Sequence, residues 1–128
     1  MRLLLDTHAL IWWLAGDPAL GGAAGDAIAD PQNEVLVSAV SAMEVTTKYR
    51  LGKLARAEIL ARDFAAIVAA QGFHPLPISL RHAQVAGGLM IGHKDPFDRL
   101  LIAQAQCDGL ILVSNEALFD AFAVQRVW

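Results

Sequence analysis

Three short, unbroken apolar runs constrain this chain more than any other feature: Leu3-Leu4-Leu5, Val35-Leu36-Val37 and Leu110-Ile111-Leu112-Val113. A strand with one wet face alternates apolar and polar residues, whereas a strand covered on both faces reads as a continuous apolar run. Parallel strands must also be joined by crossovers of about a dozen residues or more, usually helical. The segments between these runs are long enough and carry helical apolar spacing, so the expected architecture is a parallel α/β sandwich.

The elements follow from local signals. Arg2 to Leu5 reads as the first strand and His8 to Ala15 as a helix, broken by Gly16-Asp17-Pro18. Ala23 to Ala29 reads as a short helix, and Glu34 to Val37 as the second strand after the turn cluster Asp30-Pro31-Gln32-Asn33. Ser38 or Ser41 caps a helix running to about Arg50, and Gly52 ends it. Arg56 to Ala70 reads as one long helix with Ile59, Leu60, Phe64, Ile67 and Val68 on one side. Phe73 to Ile78 carries two prolines and belongs at a sheet edge. Ser79 caps a further helix, Asp95-Pro96 opens an apolar helix over Phe97 to Gln106, Leu110 to Val113 is a buried strand, and Glu116 to Phe122 a last short helix. The pattern is that of a single domain over residues 1–128 with a central, mainly parallel sheet.

In such sheets ligands collect at the carboxyl ends of the strands. Each of those places holds an acid: Asp6 after the first run, Glu44 in the helix after the second, Asp98 in the first turn of its helix, and Glu116 after Val113. Singly, each has an ordinary explanation, because acids suit helix N-termini. Ser41-Ala42-Met43-Glu44 reads as a capping box, and Asp95-Pro96-Phe97-Asp98 as a variant of one. Capping does not, however, predict that acids from separate segments share one edge of the sheet. Clustered carboxylates raise one another's pKa unless a cation offsets them. Lys94 and Arg99 flank the Asp95 to Asp98 pair, but a divalent ion is the more natural counter-charge, and oxygen-only ligands suit Mg2+ or Mn2+. Such an ion activates water and stabilises charge on a phosphodiester.

Leu4-Leu5-Asp6-Thr7-His8, Ser41-Ala42-Met43-Glu44, Asp95-Pro96-Phe97-Asp98-Arg99 and Leu112-Val113-Ser114-Asn115-Glu116 resemble, in order, the successive motifs of PIN-domain ribonucleases, and more narrowly the VapC toxins of toxin-antitoxin systems. The resemblance implies a three-layer α/β/α fold and a metal-dependent endoribonuclease, often a homodimer, inhibited by a VapB-type antitoxin seated in its groove. It reaches DNA indirectly, through that antitoxin. It also implies that Asp6, Glu44 and Asp98 are metal-binding and catalytic, with Glu116 standing where the family has Asp. Ser114 supplies the hydroxyl of that motif, and Asp95 assists as a nearby acid. Thr7 and Ser41 orient the ligand carboxylates by hydrogen bonds.

Lys48, Arg50, Lys53, Arg56 and Arg62 concentrate half of the ten basic residues in one short stretch, as candidates for RNA or antitoxin contact or as a solvated helix face. His8 and His93 are assigned ordinary polar contacts, Trp12 and Trp13 packing or interface roles, and Cys107 a small apolar role. An aspartyl-nucleophile phosphohydrolase is a competing class, but His8 stands where its second Asp would be. A receiver-like or dinucleotide-binding module is disfavoured because no Gly-x-Gly-x-x-Gly follows a strand.

Composition agrees with a compact globular domain. Apolar residues make up 55% and charged residues 18% of the 128, against disorder. No apolar stretch is longer than Ala9 to Ala15, which falls short of the roughly 20 residues that cross a bilayer. The N-terminus lacks the pattern of a signal peptide, and the lone Cys107 makes no intramolecular disulfide, so a cytoplasmic protein is expected. The net charge of −3 argues against a nucleic-acid partner until the four proposed ligand acids are set aside, which leaves nine acids against ten bases.

Overall fold

Burial of the Leu3-Leu4-Leu5 run on both faces sets the architecture. The structure, a computed structural model, describes residues 1–90, 92 and 95–128. Strands β1 (Arg2–Leu5), β2 (Glu34–Ser38), β3 (His74–Leu76), β4 (Ile111–Val113) and β5 (Arg126–Val127) form one sheet in the order β3-β2-β1-β4-β5, every pair parallel. Between them run helices α1 (Thr7–Ala15), α2 (Gly22–Ala29), α3 (Ala39–Arg50), α4 (Glu58–Arg62), α5 (Phe64–Ala70), α6 (Leu80–Gly88) and α7 (Pro96–Asp108).

Alternation along β1 divides the core. Leu3 and Leu5, in register with Val35 and Val37 of β2, pack against Ala9 and Leu10 of α1, Ala24 and Ile28 of α2 and Val68 of α5. Leu4, in register with Leu36 and Leu112, faces the other way onto Leu101, Ile102 and Ala105 of α7. The result is the expected α/β/α sandwich, with β3 at an edge where Pro75 costs no interior ladder bond. No helix among the described residues is long and apolar enough to cross a membrane.

Four expectations are corrected. The expected helix over Arg56 to Ala70 is broken into a 3-10 turn at Ala55–Ala57, α4 and α5, with Asp63 off helical geometry at φ −124°, ψ 38°. The two halves bury different faces: Leu60 packs with Val45 of α3, whereas Val68 packs onto the sheet. Ser38, not Ser41, caps α3, its Oγ accepting from the Val40 amide at 3.0 Å. The last helix is a 3-10 turn, Ala117–Phe122, with Glu116 as its cap residue. The strand β5 beside β4 is additional; two residues are too short to leave a periodic signal. The expected contacts of His93 and the flanking position of Lys94 lie outside the described residues.

The sheet order fixes where chemistry can occur. From β1 the chain goes to β2 and β3 on one side, then returns to β4 and β5 on the other, so the order reverses between β1 and β4. Ligand sites of open α/β sheets form in the crevice at such a reversal. The Asp6 amide spans it, donating to the Val113 carbonyl at 3.0 Å.

Candidate active site

Asp6 is the first residue past β1 and the N-cap of α1, its Oδ1 accepting from the Ala9 amide at 2.8 Å. Its position is dictated by an apolar strand that must end at the sheet edge and a helix that starts at once. The carboxyl is buried, and that burial pushes its pKa above the usual value. Hydrogen bonds from Ser114 and the Ala9 amide and the nearby His8 pull the other way, while Glu116 adds to the rise. Ser114, fully buried at the end of β4, accepts from the Glu116 amide at 3.0 Å, so one hydroxyl links Asp6 to the backbone of the Glu116 segment.

A second group is tied to the first through Thr7. Its Oγ1 lies 2.5 Å from Glu44 Oε1 and 3.1 Å from Ser41 Oγ, all three residues buried. Ser41 therefore pairs with Thr7 instead of capping α3. The other Glu44 oxygen, Oε2, accepts from Lys48 Nζ one helical turn on. Burial works to lower the Lys48 pKa, but the Glu44 bond and the fields of Glu44, Asp95 and Asp98 outweigh it and hold it above the usual value. Packing of α3 against α7 brings these residues together.

Asp95 caps α7, its Oδ1 accepting from the Phe97 amide at 2.9 Å and the Asp98 amide at 3.3 Å, with Pro96 in the first turn. The expected capping reading of this motif holds, and Asp98 lies in the same first turn. Arg99, next along, reaches the end of α6: Nε donates to the Ala86 carbonyl at 2.9 Å and Nη2 to those of Gly87 and Leu89 at 3.3 and 2.8 Å. Arg126 is a residue that sequence reading misses. It makes a bidentate pair with Asp120 at 2.8 and 3.0 Å and donates to the Ser114 carbonyl at 3.0 Å, fixing the segment that carries Glu116. Its only sequence signal would have been a strand too short to recognise.

The donor set is oxygen-only and so suits a hard divalent ion. Among the described residues no three His, Cys, Asp or Glu side chains form a ready-made metal cage.

Of the basic stretch, Lys48 turns into the acidic site, while Arg50, Lys53 and Arg56 are exposed. Lys53 and Arg56 edge an apolar groove lined by Ile11, Trp12, Leu54 and Ile59. Trp12 stacks edge-on to Trp128, which closes over Gly21 so tightly that a Cβ there would stand 2.7 Å from the Trp128 carbonyl carbon and 2.8 Å from its indole. Trp13 packs into the core beside Phe73.

A parallel α/β/α sandwich with a buried Asp6 at the β1/β4 crevice defines a class, and the family comparison agrees: the PIN domain model matches residues 3–125, so the chain belongs to the PIN-domain family. Solved structures extend the likeness. The VapBC2 complex of Rickettsia felis bound to a promoter DNA fragment has a chain 16% identical, with a TM-score of 0.67, 99% of this chain and 98% of that one being covered. DNA-bound VapBC of Salmonella typhimurium gives 18% identity, a TM-score of 0.65 and coverage of 99% and 97%. A toxin-antitoxin complex of Klebsiella pneumoniae gives 22% identity, 0.60, and 98% and 96%. At these identities the likeness is one of fold. No curated protein matches the chain by sequence.

Proposed function

We propose that this chain is a metal-dependent endoribonuclease, the toxin of a VapBC-type pair, working in the cytoplasm as a homodimer and meeting DNA only through its antitoxin. One observation carries the reading: Asp6 lies at the crevice within the field of Glu116, the Thr7 residue beside it bonds Glu44, and Glu44, Asp95 and Asp98 all act on Lys48. PIN domains are a nuclease family, and the structural neighbours in toxin-antitoxin complexes support the biological role.

In this reading Asp6, Asp98 and Glu116, with Glu44 beside them, hold Mg2+ or Mn2+. When bound, the ion neutralises charge on the scissile phosphate and lowers the pKa of a water. The chain's own groups set the stage. Ser114 holds the Asp6 carboxylate in place, Thr7 and Ser41 hold Glu44, and Asp95 fixes the first turn of α7 from which Asp98 projects. Arg50, Lys53 and Arg56 give RNA or an acidic antitoxin tail a basic surface. The groove that Lys53 and Arg56 border suits the apolar face of an antitoxin helix.

Induced expression tests the reading. Wild-type protein is expected to arrest growth with fragmentation of cellular RNA, Asp6→Asn is not, and co-expression of an antitoxin encoded beside the gene restores growth. Equal arrest by both forms would overturn the catalytic account.

A further inference from the structure

The two adjacent tryptophans of α1 are used differently. Trp13 packs on the core beside Phe73 and donates its indole N–H to Gln71 Oε1 at 3.0 Å. Among the described residues Trp12 packs with none of the core clusters, and neither its N–H nor that of Trp128 has an acceptor. Trp12 lies instead between two rings, His8 at 5.4 Å and Trp128 at 5.6 Å between centroids, and all three keep partial exposure. His8 is one helical turn before Trp12 and two residues after Asp6, in whose field it stands, so the row of rings starts at the acid and runs outward. Lys53 and Arg56 edge the groove that Trp12 lines, and the acid of that groove, Asp17, is bonded to the Ala19 amide at 2.8 Å.

Aromatic faces beside exposed cations are the chemistry that grips a single-stranded nucleic acid, whose bases each offer a π-face while the cations track the backbone. In a duplex those faces are covered by stacked neighbours, so such a surface selects unpaired bases. An apolar helix seated on Ile11, Leu54 and Ile59 gives no use to the imidazole or to the two free indole N–H groups. Resting on the ribonuclease reading above, we propose that His8, Trp12 and Trp128 form a stacking platform for unpaired RNA bases, which holds the nucleotides next to the phosphate at Asp6 while Lys53 and Arg56 follow the backbone. Trp12 is its central ring, and the platform gives the site a preference for single-stranded RNA.

Fluorescence anisotropy with a labelled, unstructured single-stranded oligoribonucleotide and with an RNA duplex of equal length tests this. The parent is the Asp98→Asn protein in Mg2+, where no cleavage is expected. Trp12→Ala in that background is expected to raise the Kd for the single strand about tenfold, Trp12→Phe much less, and neither is expected to change the Kd for the duplex. A Trp12→Ala protein that melts cooperatively and binds the single strand with parental affinity overturns the proposal, whether or not its hold on the antitoxin is weakened. An equal loss for the duplex overturns it as well. Should Trp12→Ala fail to fold, the parent's indole fluorescence decides: quenching by the bound single strand supports the platform, and no quenching at saturation contradicts it. A parent that binds neither RNA would instead refute the ribonuclease reading, and this inference with it.

Discussion

Thr7 Oγ1 donates to Glu44 Oε1, and this bond joins the turn after β1 to the helix after β2 across the floor of the site. Thr7 follows Asp6 directly, so the hydroxyl couples the placement of two acids that come from different strands. Removing it leaves a buried carboxylate oxygen without its donor, which costs about 1–3 kcal/mol. Thr7→Val keeps the shape and loses the bond. A lower melting temperature and slower RNA cleavage are expected, and Thr7→Ser is expected to retain most of both.

Asp6 sets a pH dependence whose sign follows from its raised pKa. Between the unfolded value and the higher folded one, the native state binds more protons, so stability falls as pH rises through that window and stays lower above it. Asp6→Asn removes the ionising group while keeping the oxygen that accepts from Ala9. In metal-free buffer at neutral pH this variant is expected to melt above the wild type, and the gap is expected to close below the unfolded pKa of an aspartate. Thermal melts across pH check it.

Arg99 supplies three donors to the last carbonyls of α6, a geometry that needs the planar guanidinium fork. Arg99→Ala is expected to destabilise the fold by about 1–3 kcal/mol, because those carbonyls lose charge-assisted partners. Arg99→Lys should recover only a fraction of the loss. Urea denaturation of the three proteins measures it.

Much of this was legible in the residues. The apolar runs marked β1, β2 and β4, and the Asp95-Pro96 motif marked the start of α7, because strand burial and helix capping are local signals. The helix break at Asp63 was not legible, since Leu60 and Val68 are called to different layers by tertiary packing. Ser41 looked like a cap because its spacing to Glu44 is that of a capping box. Only the approach of Thr7, distant in sequence, shows that Ser41 is bonded to another helix. Lys48 read as part of a basic face because a charge count cannot see which way a side chain turns. Arg126 was invisible for want of a recognisable strand.

The groove beside α1 yields a prediction about the partner. Ile59 lines it and is 65% exposed, so a charge there leaves the fold intact. Ile59→Glu is expected to weaken binding of an antitoxin helix by about tenfold or more, as loss of one buried aliphatic contact costs about 1.5–3 kcal/mol. Calorimetric titration with the antitoxin measures it.

The central claim is that carboxylates at the β1/β4 crevice hold a divalent ion for hydrolysis of RNA. Cleavage of an end-labelled RNA by purified protein tests it most directly, with Mn2+ or Mg2+, with EDTA, and with Asp98→Asn. Cleavage by the wild type that requires the ion and is lost in Asp98→Asn is the predicted result; undiminished cleavage by Asp98→Asn in EDTA would contradict the account.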